Sequence, residues 1–428
     1  MTRLLLATAA FGFLTSCIGG ESHHTVLTDG ESGSWGSGQG TNGAGTTTTD
    51  TTTDTVVDSN AVVVVVDQGP ENIGYTNGLF ATVTLCQPGT NTCQTFDHLL
   101  VDTGSVGVRV LESKVKLSLP AITTTSGAAF VECTPFVDGT AWGPVKRADV
   151  QIGGETASSL PIQLIGENSY TMPSNCTGTP ITDFNSLGAN GVLGVGVYLQ
   201  DCGSYCQVSG RMNAGLYYAC SGASTCSIAA VPLAEQVSHP VAAFPIDNNG
   251  VIIQLPSIAS AGATSVTGLM LFGIGTQTNN GLGTSTVLPL NASGFVTTTY
   301  PVIGSSYSSY IDSGSNALFF LNASTTSIKQ CSGALRDFYC PNSTMSLTAK
   351  LAGTDGNSIT VSYAVGNVST FNASYFAFDN LAGPMPGYPT DSSIPGFDWG
   401  LPLFFGRNMV TSIEDQSTPG GSGPYFAF

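Results

Sequence analysis

VDTGSVGVRV, residues 101–110, decides how the rest of the chain is read. An apolar run ends in Asp102, followed by Thr103, Gly104 and Ser105 and then by more apolar residues. An Asp placed directly after a buried strand and before a glycine turn is held at the strand's end, facing a cleft. A single copy would read as an Asx-turn closing a strand. The same order returns in YIDSGSNALFF, residues 310–320, where Asp312 is followed by Ser313, Gly314 and Ser315. The two aspartates stand 312 − 102 = 210 positions apart, with matching flanks. The repeat predicts two similar halves, each giving one carboxylate to a shared site.

Outward from these motifs, the chain of 428 residues is long enough for a large core and for two or three domains. Only 9% of residues are charged, 53 are glycine, and the apolar segments are short and rich in Val, Ile, Phe and Thr. That composition predicts strands and turns rather than helices. A net charge of −17 with 11 basic residues argues against nucleic acid or an anionic membrane face as a partner. The pI of about 4.2 is compatible with work in mildly acidic surroundings.

The N-terminus reads as a processing signal. Arg3 precedes an apolar stretch over residues 4–14 that is too short for a permanent membrane span. It ends in LTSC, residues 14–17, which resembles a bacterial lipobox. That resemblance implies cleavage before Cys17 and a lipid on its thiol; the alternative is an ordinary secretory signal with a chance cysteine. Residues 18–60 are Gly, Ser, Thr and Asp with few apolar side chains, the composition of a solvated tether. The expected division is a signal over 1–16, the lipid-bearing cysteine and tether over 17–60, and two lobes over 61–240 and 241–428. Setting Cys17 aside leaves ten cysteines. Cys86 with Cys93 and Cys331 with Cys340 lie close together, as disulfides in an oxidising compartment do. Cys133 and Cys176 are the longest-range candidates, and pairing among Cys202, Cys206, Cys220 and Cys226 stays open. No His sits beside a Cys pair at metal-ligand spacing.

In chain order, residues 61–66 begin the folded part as a run of Val, and strands over 78–86 and 92–101 deliver Asp102. FVDGTAWG, residues 136–143, reads as a hairpin with Phe136 and Trp142 near its tip. ANGVLGVGVYL, residues 189–199, is an apolar run broken by Gly191, Gly194 and Gly196, which predicts close backbone approach. Residues 231–237 read as a short helix. The second half repeats the plan: strands over 250–255 and 268–273, then 297–303 and 308–311 delivering Asp312. WGLPLFFGRNMV, residues 399–410, reads as a second apolar strand broken by Gly400 and Gly406.

Two carboxylates brought close together cannot both ionise cheaply, so they share a proton and divide the roles of base and acid. A water between them is deprotonated by one while the other protonates a substrate carbonyl. Thr103 and Ser313 carry hydroxyls able to tie the two turns together, and Ser105 and Ser315 can donate to the neighbouring carboxylate. The glycines, Gly104 and Gly314, let each turn be tight. This chemistry needs no cofactor and no metal. Serine or cysteine nucleophile schemes fare poorly. No G-x-S-x-G occurs, and with His23 and His24 in the tether only His98 and His239 remain as partners.

On VDTGS, GVLGVG, GLMLFG with GIGTQ, IDSGS and LFFGRNMVTSIED in this order, the chain after residue 61 resembles the bilobed, pepsin-like aspartic proteases. It resembles more closely a bacterial lipoprotein family known only as a domain of unknown function. The resemblance implies an all-β, two-lobed fold with pseudo-twofold symmetry and catalytic Asp102 and Asp312 between the lobes. It also implies an extended peptide or protein bound across the cleft, and a monomer. Two aspartates sharing one proton are a known property of that protease family, and the resemblance carries it over to this pair. Two departures stand out. The hairpin that corresponds to the family's flap has Phe136 where a Tyr is usual, and the tether lacks the basic residues of a typical propeptide. Expected, then, is an aspartic endopeptidase in the bacterial cell envelope, lipid-anchored or secreted. The alternatives are a catalytically silent peptide-binding lipoprotein of the same fold, or a surface protein that works through the Cys-rich insertion.

Overall fold

A computed structural model describes residues 58–137, 139–208, 215–389 and 395–428. The signal segment, Cys17 and almost all of the tether lie outside the described residues. The first half contributes β1 (Ala61–Asp67), β2 (Gly78–Cys86), β3 (Cys93–Asp102), β4 (Val106–Leu111) and β5 (Ala129–Phe136). It continues with β6 (Gly139–Ile152), β7 (Glu155–Ile165), β8 (Gly191–Val195), β9 (Tyr217–Gly222) and β10 (Thr225–Ile228). The second half adds β11 (Gly250–Leu255), β12 (Val266–Phe272), β13 (Val287–Pro289), β14 (Val296–Tyr300) and β15 (Ser305–Ile311). Then follow β16 (Leu318–Phe320), β17 (Met345–Ala352), β18 (Ser358–Val365), β19 (Ala382–Gly383), β20 (Phe397–Trp399) and β21 (Arg407–Ser412). The structure is all-β apart from short helical turns, with the pepsin-like two-lobed plan.

Two sheets carry the molecule. Fifteen strands form one, and β14 to β20 form a second of seven. β1 joins the halves: its Val-rich sequence pairs with β2 on one side and with β12 on the other, Val64 facing both Ala81 and Gly268. Its β-branched residues suit a pleated surface that is buried on one face, and Val64 and Val66 are fully buried while Val63 is 40% exposed. One apolar core runs through both halves, from Val83 and Val101 to Phe320 and Trp399.

The same three-strand arrangement positions each aspartate. β8 lies parallel to β3 and antiparallel to β4, so it passes between the two strands that flank the Asp102 turn. β20 lies parallel to β15 and antiparallel to β16, doing the same for Asp312. Glycine is required at the crossings: a Cβ on Gly194 would sit 2.7 Å from the Val106 backbone, and one on Gly400 2.1 Å from the Ala317 carbonyl oxygen.

Two local expectations are corrected. Residues 399–410 are not one strand. β20 ends at Trp399, and Leu401–Leu403 form a 3-10 turn before β21 begins at Arg407. Pro402, at the start of that turn, has no N–H to give a ladder. Gly400 alone therefore makes the close crossing, and Gly406 takes a turn conformation at φ 75°. Residues 231–237 form no α-helix, only a 3-10 turn at Leu233–Glu235, preceded by Pro232. The cysteine pairing left open is settled: Cys86–Cys93, Cys133–Cys176, Cys202–Cys206, Cys220–Cys226 and Cys331–Cys340 are bonded. No helix among the described residues is long and apolar enough to cross a membrane. Together with five disulfides, this is compatible with an exported protein.

Candidate active site

Asp102 ends β3 and Asp312 follows β15, and their turns face one another. In each, the carboxylate folds back onto its own glycine: Gly104 N–H donates to Asp102 Oδ1 at 2.8 Å, and Gly314 N–H to Asp312 Oδ1 at 2.8 Å. The next serine holds the other oxygen, Ser105 Oγ donating to Asp102 Oδ2 and Ser315 Oγ to Asp312 Oδ2 at 2.8 Å. The two carboxyls are also wedged against each other's turn. A Cβ on Gly104 would lie 2.7 Å from Asp312 Cγ, and one on Gly314 2.7 Å from Asp102 Oδ1. Any side chain at either glycine would displace the opposite aspartate.

The turns are cross-linked by hydroxyls. Thr103 Oγ1 donates to the Ile311 carbonyl at 3.0 Å and accepts from Ser313 N–H at 2.9 Å. In return, Ser313 Oγ donates to the Val101 carbonyl at 2.7 Å and accepts from Thr103 N–H at 3.1 Å. Both residues are buried, so the four bonds are shielded from water. Asn77, at 0% exposure, adds a link from the first half to the second. Its side-chain amide donates to the Asn316 and Phe378 carbonyls and accepts from Phe378 N–H.

Burial first, then the negative charge of Asp102 and that of Asp398, hold the Asp312 carboxyl well above the ordinary carboxylate range. Asp398 has no counterpart among the sequence expectations. It sits between Phe397 and Trp399 on β20, opposite Tyr310 and Phe319, and is 5% exposed with Oδ1 unpartnered. Burial pushes its carboxyl well above the ordinary range, against a hydrogen bond with the Ser315 hydroxyl and assisted by the Asp102 charge. The only sequence signal is a lone Asp inside an apolar strand next to the Gly400 crossing.

Of the hairpin residues, Phe136 ends β5 partly buried, with its ring 5.8 Å from the Arg109 guanidinium carbon. Trp142 packs into the hairpin: it is 5% exposed, edge-on to Tyr218, and its indole N–H donates to the Tyr170 carbonyl at 2.7 Å. With its one donor spent and its ring in the core, it offers nothing to a substrate. His98 and His239 also lie away from the aspartates' chemistry. His98 pairs with Asp67 and Asp97, and His239 is buried, accepting from Val241 N–H. Beside Asn316 a cavity of about 270 Å³ opens between the halves, lined by Tyr75, Leu335, Phe338, Phe371 and Phe378 among others.

The arrangement holds two carboxyls, each wedged against the other's glycine turn, with an apolar-lined cavity beside Asn316, four residues after Asp312. Comparison with solved structures finds the same fold in the crystal structure of aspartic proteinase from Irpex lacteus. The TM-score is 0.51 at 14% identity, over 86% of this chain and 96% of that one. No curated protein matches this sequence. A family model described as a protein of unknown function, DUF3443, matches residues 56–428, and the chain belongs to that family.

Proposed function

We propose that this protein is an exported aspartic endopeptidase. The observation that carries the reading is the pair of carboxyls, Asp102 and Asp312, braced against one another through their glycine turns, with burial and the Asp102 charge holding the Asp312 carboxyl high. Ionised Asp102 takes a proton from a water lying between the two groups, and the oxygen attacks the scissile carbonyl carbon. Asp312 gives its proton to the carbonyl oxygen, forming a neutral tetrahedral diol. Collapse of the diol returns a proton to Asp312, while the proton held by Asp102 passes to the departing amide nitrogen. An extended peptide is the substrate, and the aromatic cavity beside Asn316 suits one of its large apolar side chains. The lipid on Cys17 and a place in the bacterial cell envelope belong to the same proposal.

A second reading, a peptide-binding protein without turnover, is favoured by one feature: Phe136 brings no hydroxyl to the hairpin. A statine-type transition-state analogue separates both readings from neither. Its hydroxyl replaces the attacking water, so it should raise the melting temperature of the full chain, and Asp102→Asn should weaken that binding strongly. No binding by the wild type at any pH from 3 to 8 would remove both readings.

A further inference from the structure

Away from the aspartate pair, a second set of ionisable groups is buried in the first half and has no part in the chemistry above. Arg109 on β4 is 1% exposed, Glu132 on β5 0%, and Asp201, in the loop after β8, is 7% exposed at its side chain. One guanidinium nitrogen of Arg109 donates to Glu132 Oε1 at 2.7 Å and to Asp201 Oδ2 at 2.8 Å. Nε donates to Gln163 Oε1 on β7, and the other nitrogen to the Val106 carbonyl, directly after Ser105 of the Asp102 turn. Tyr217 on β9 donates to Asp201 Oδ1 at 2.8 Å, and Thr134 donates to Glu132 Oε1.

One cation facing two carboxylates would leave a buried negative charge. Glu132 Oε2 has no donor among its neighbours, and the Asp201 carboxyl lies beside it. A proton on Asp201 resolves both defects: it neutralises the set and gives Oε2 its donor. The directions agree, burial and Glu132 pushing the Asp201 carboxyl well up while Arg109 keeps Glu132 low against its burial. The groups facing this cluster are Arg109, Glu132, Asp201, Tyr217, Gln163 and Thr134.

Arg109 thus touches three things at once: the Asp102 turn through Val106, the first strand of the β5–β6 hairpin through Glu132, and the ring of Phe136 at that strand's end. We propose that Arg109 is a positioning residue that sets the β5–β6 hairpin relative to the Asp102 turn, and that the single proton shared by Glu132 and Asp201 is what allows it to stay buried there. In this way the hairpin is held from beneath, with no hydroxyl needed on Phe136. The inference takes its functional meaning from the proposed peptide cleft, but its geometry does not depend on turnover.

The test is hydrogen exchange of the hairpin amides, β5 and β6, in the full chain, with statine-analogue affinity read in parallel. Arg109→Lys keeps a charge but loses the fork, and should speed hairpin exchange at least tenfold while amides of β14 and β15 are unchanged. Analogue affinity should fall with it. Phe136→Leu, which keeps the fold if Arg109→Lys does not, should speed exchange at the same end of β5. Asp201→Asn keeps a neutral hydrogen-bonding group, so it should match the wild type at pH 6. As pH rises through the elevated Asp201 value and the wild type loses the shared proton, Asp201→Asn should become the better protected of the two. Hairpin exchange unchanged in the folded Arg109→Lys and Phe136→Leu variants, or Asp201→Asn behaving like Arg109→Lys at pH 6, overturns the proposal. If the wild type binds no analogue, the peptide-cleft reading fails while the exchange result still decides this one.

Discussion

Thr103→Val removes a hydroxyl and leaves the side-chain shape, so it isolates the link between the two aspartate turns. Two bonds disappear, from Thr103 Oγ1 to the Ile311 carbonyl and from Ser313 N–H to Thr103 Oγ1. Both orphaned groups are buried, since Ile311 is 1% and Ser313 0% exposed. An unsatisfied buried donor or acceptor costs about 1–3 kcal/mol, so the pair costs roughly 2–6 kcal/mol by the same principle. Ser313→Ala cuts the reciprocal pair, to the Val101 carbonyl and from Thr103 N–H, at a similar cost. Since the four bonds form one network, the double variant should lose less than the sum. Urea unfolding reads this directly. At an m-value of about 3 kcal/mol/M, each single variant lowers the midpoint by roughly 0.7–2 M with m unchanged. Thr84→Val is the control, because its hydroxyl meets that of Thr95 on an exposed face and should change stability by under about 0.5 kcal/mol. A midpoint for Thr103→Val equal to that of Thr84→Val would refute the reasoning.

Three further outcomes are expected. Asp312, Asp398 and Asp201 all have folded-state values above the ordinary 3.8, so the native state binds more protons than the unfolded chain. Their stabilisation is complete below that value and is lost as pH rises through the folded-state values. Glu132, held low, contributes in the opposite sense, lost only as pH falls through its depressed value. The melting temperature should therefore decline from mildly acidic pH toward pH 9, and a steady rise over that range would contradict the assignment. Asp398→Asn removes a negative charge that raises the Asp312 carboxyl, so the basic limb of the pH–rate profile should move to lower pH; an unmoved limb would separate Asp398 from the pair. Replacing Cys133 and Cys176 by Ser opens a loop of sequence separation 43, against 4 for Cys202 and Cys206. Loop entropy puts the losses at about 4 and about 2 kcal/mol, checked by urea midpoints under identical conditions.

What was legible in the sequence is what is local. Each aspartate, its glycine and its serine lie within four consecutive residues, so the turn chemistry survives in the letters of DTGS and DSGS. The glycines of β8 announced a close crossing because only a missing Cβ permits one. The second apolar–glycine strand was drawn too long, since the apolar run through Phe405 hides the break that Pro402 makes. The Arg109 set was invisible for a different reason. Its carboxylates lie 23 and 92 positions away, and nothing local marks them as partners. Asp398 likewise becomes meaningful only once β20 is laid beside β15, which brings it two residues from Asp312 in register. Trp142, near the hairpin tip in sequence, lies in a stretch of β6 that is buried throughout from Thr140 to Val145, which only the packing against Tyr218 reveals.

The central claim is that Asp102 and Asp312 together activate a water to cut a peptide bond. Incubating a mixed peptide library with the purified full chain from pH 3 to 8, beside Asp102→Asn and Asp312→Asn, tests it most directly. The account predicts cleavage that is strongest at acidic pH, falls as both carboxyls ionise, and is abolished in each variant while their melting temperatures stay near that of the wild type. Cleavage that persists in either folded variant, or no cleavage by the wild type at any pH, would contradict it.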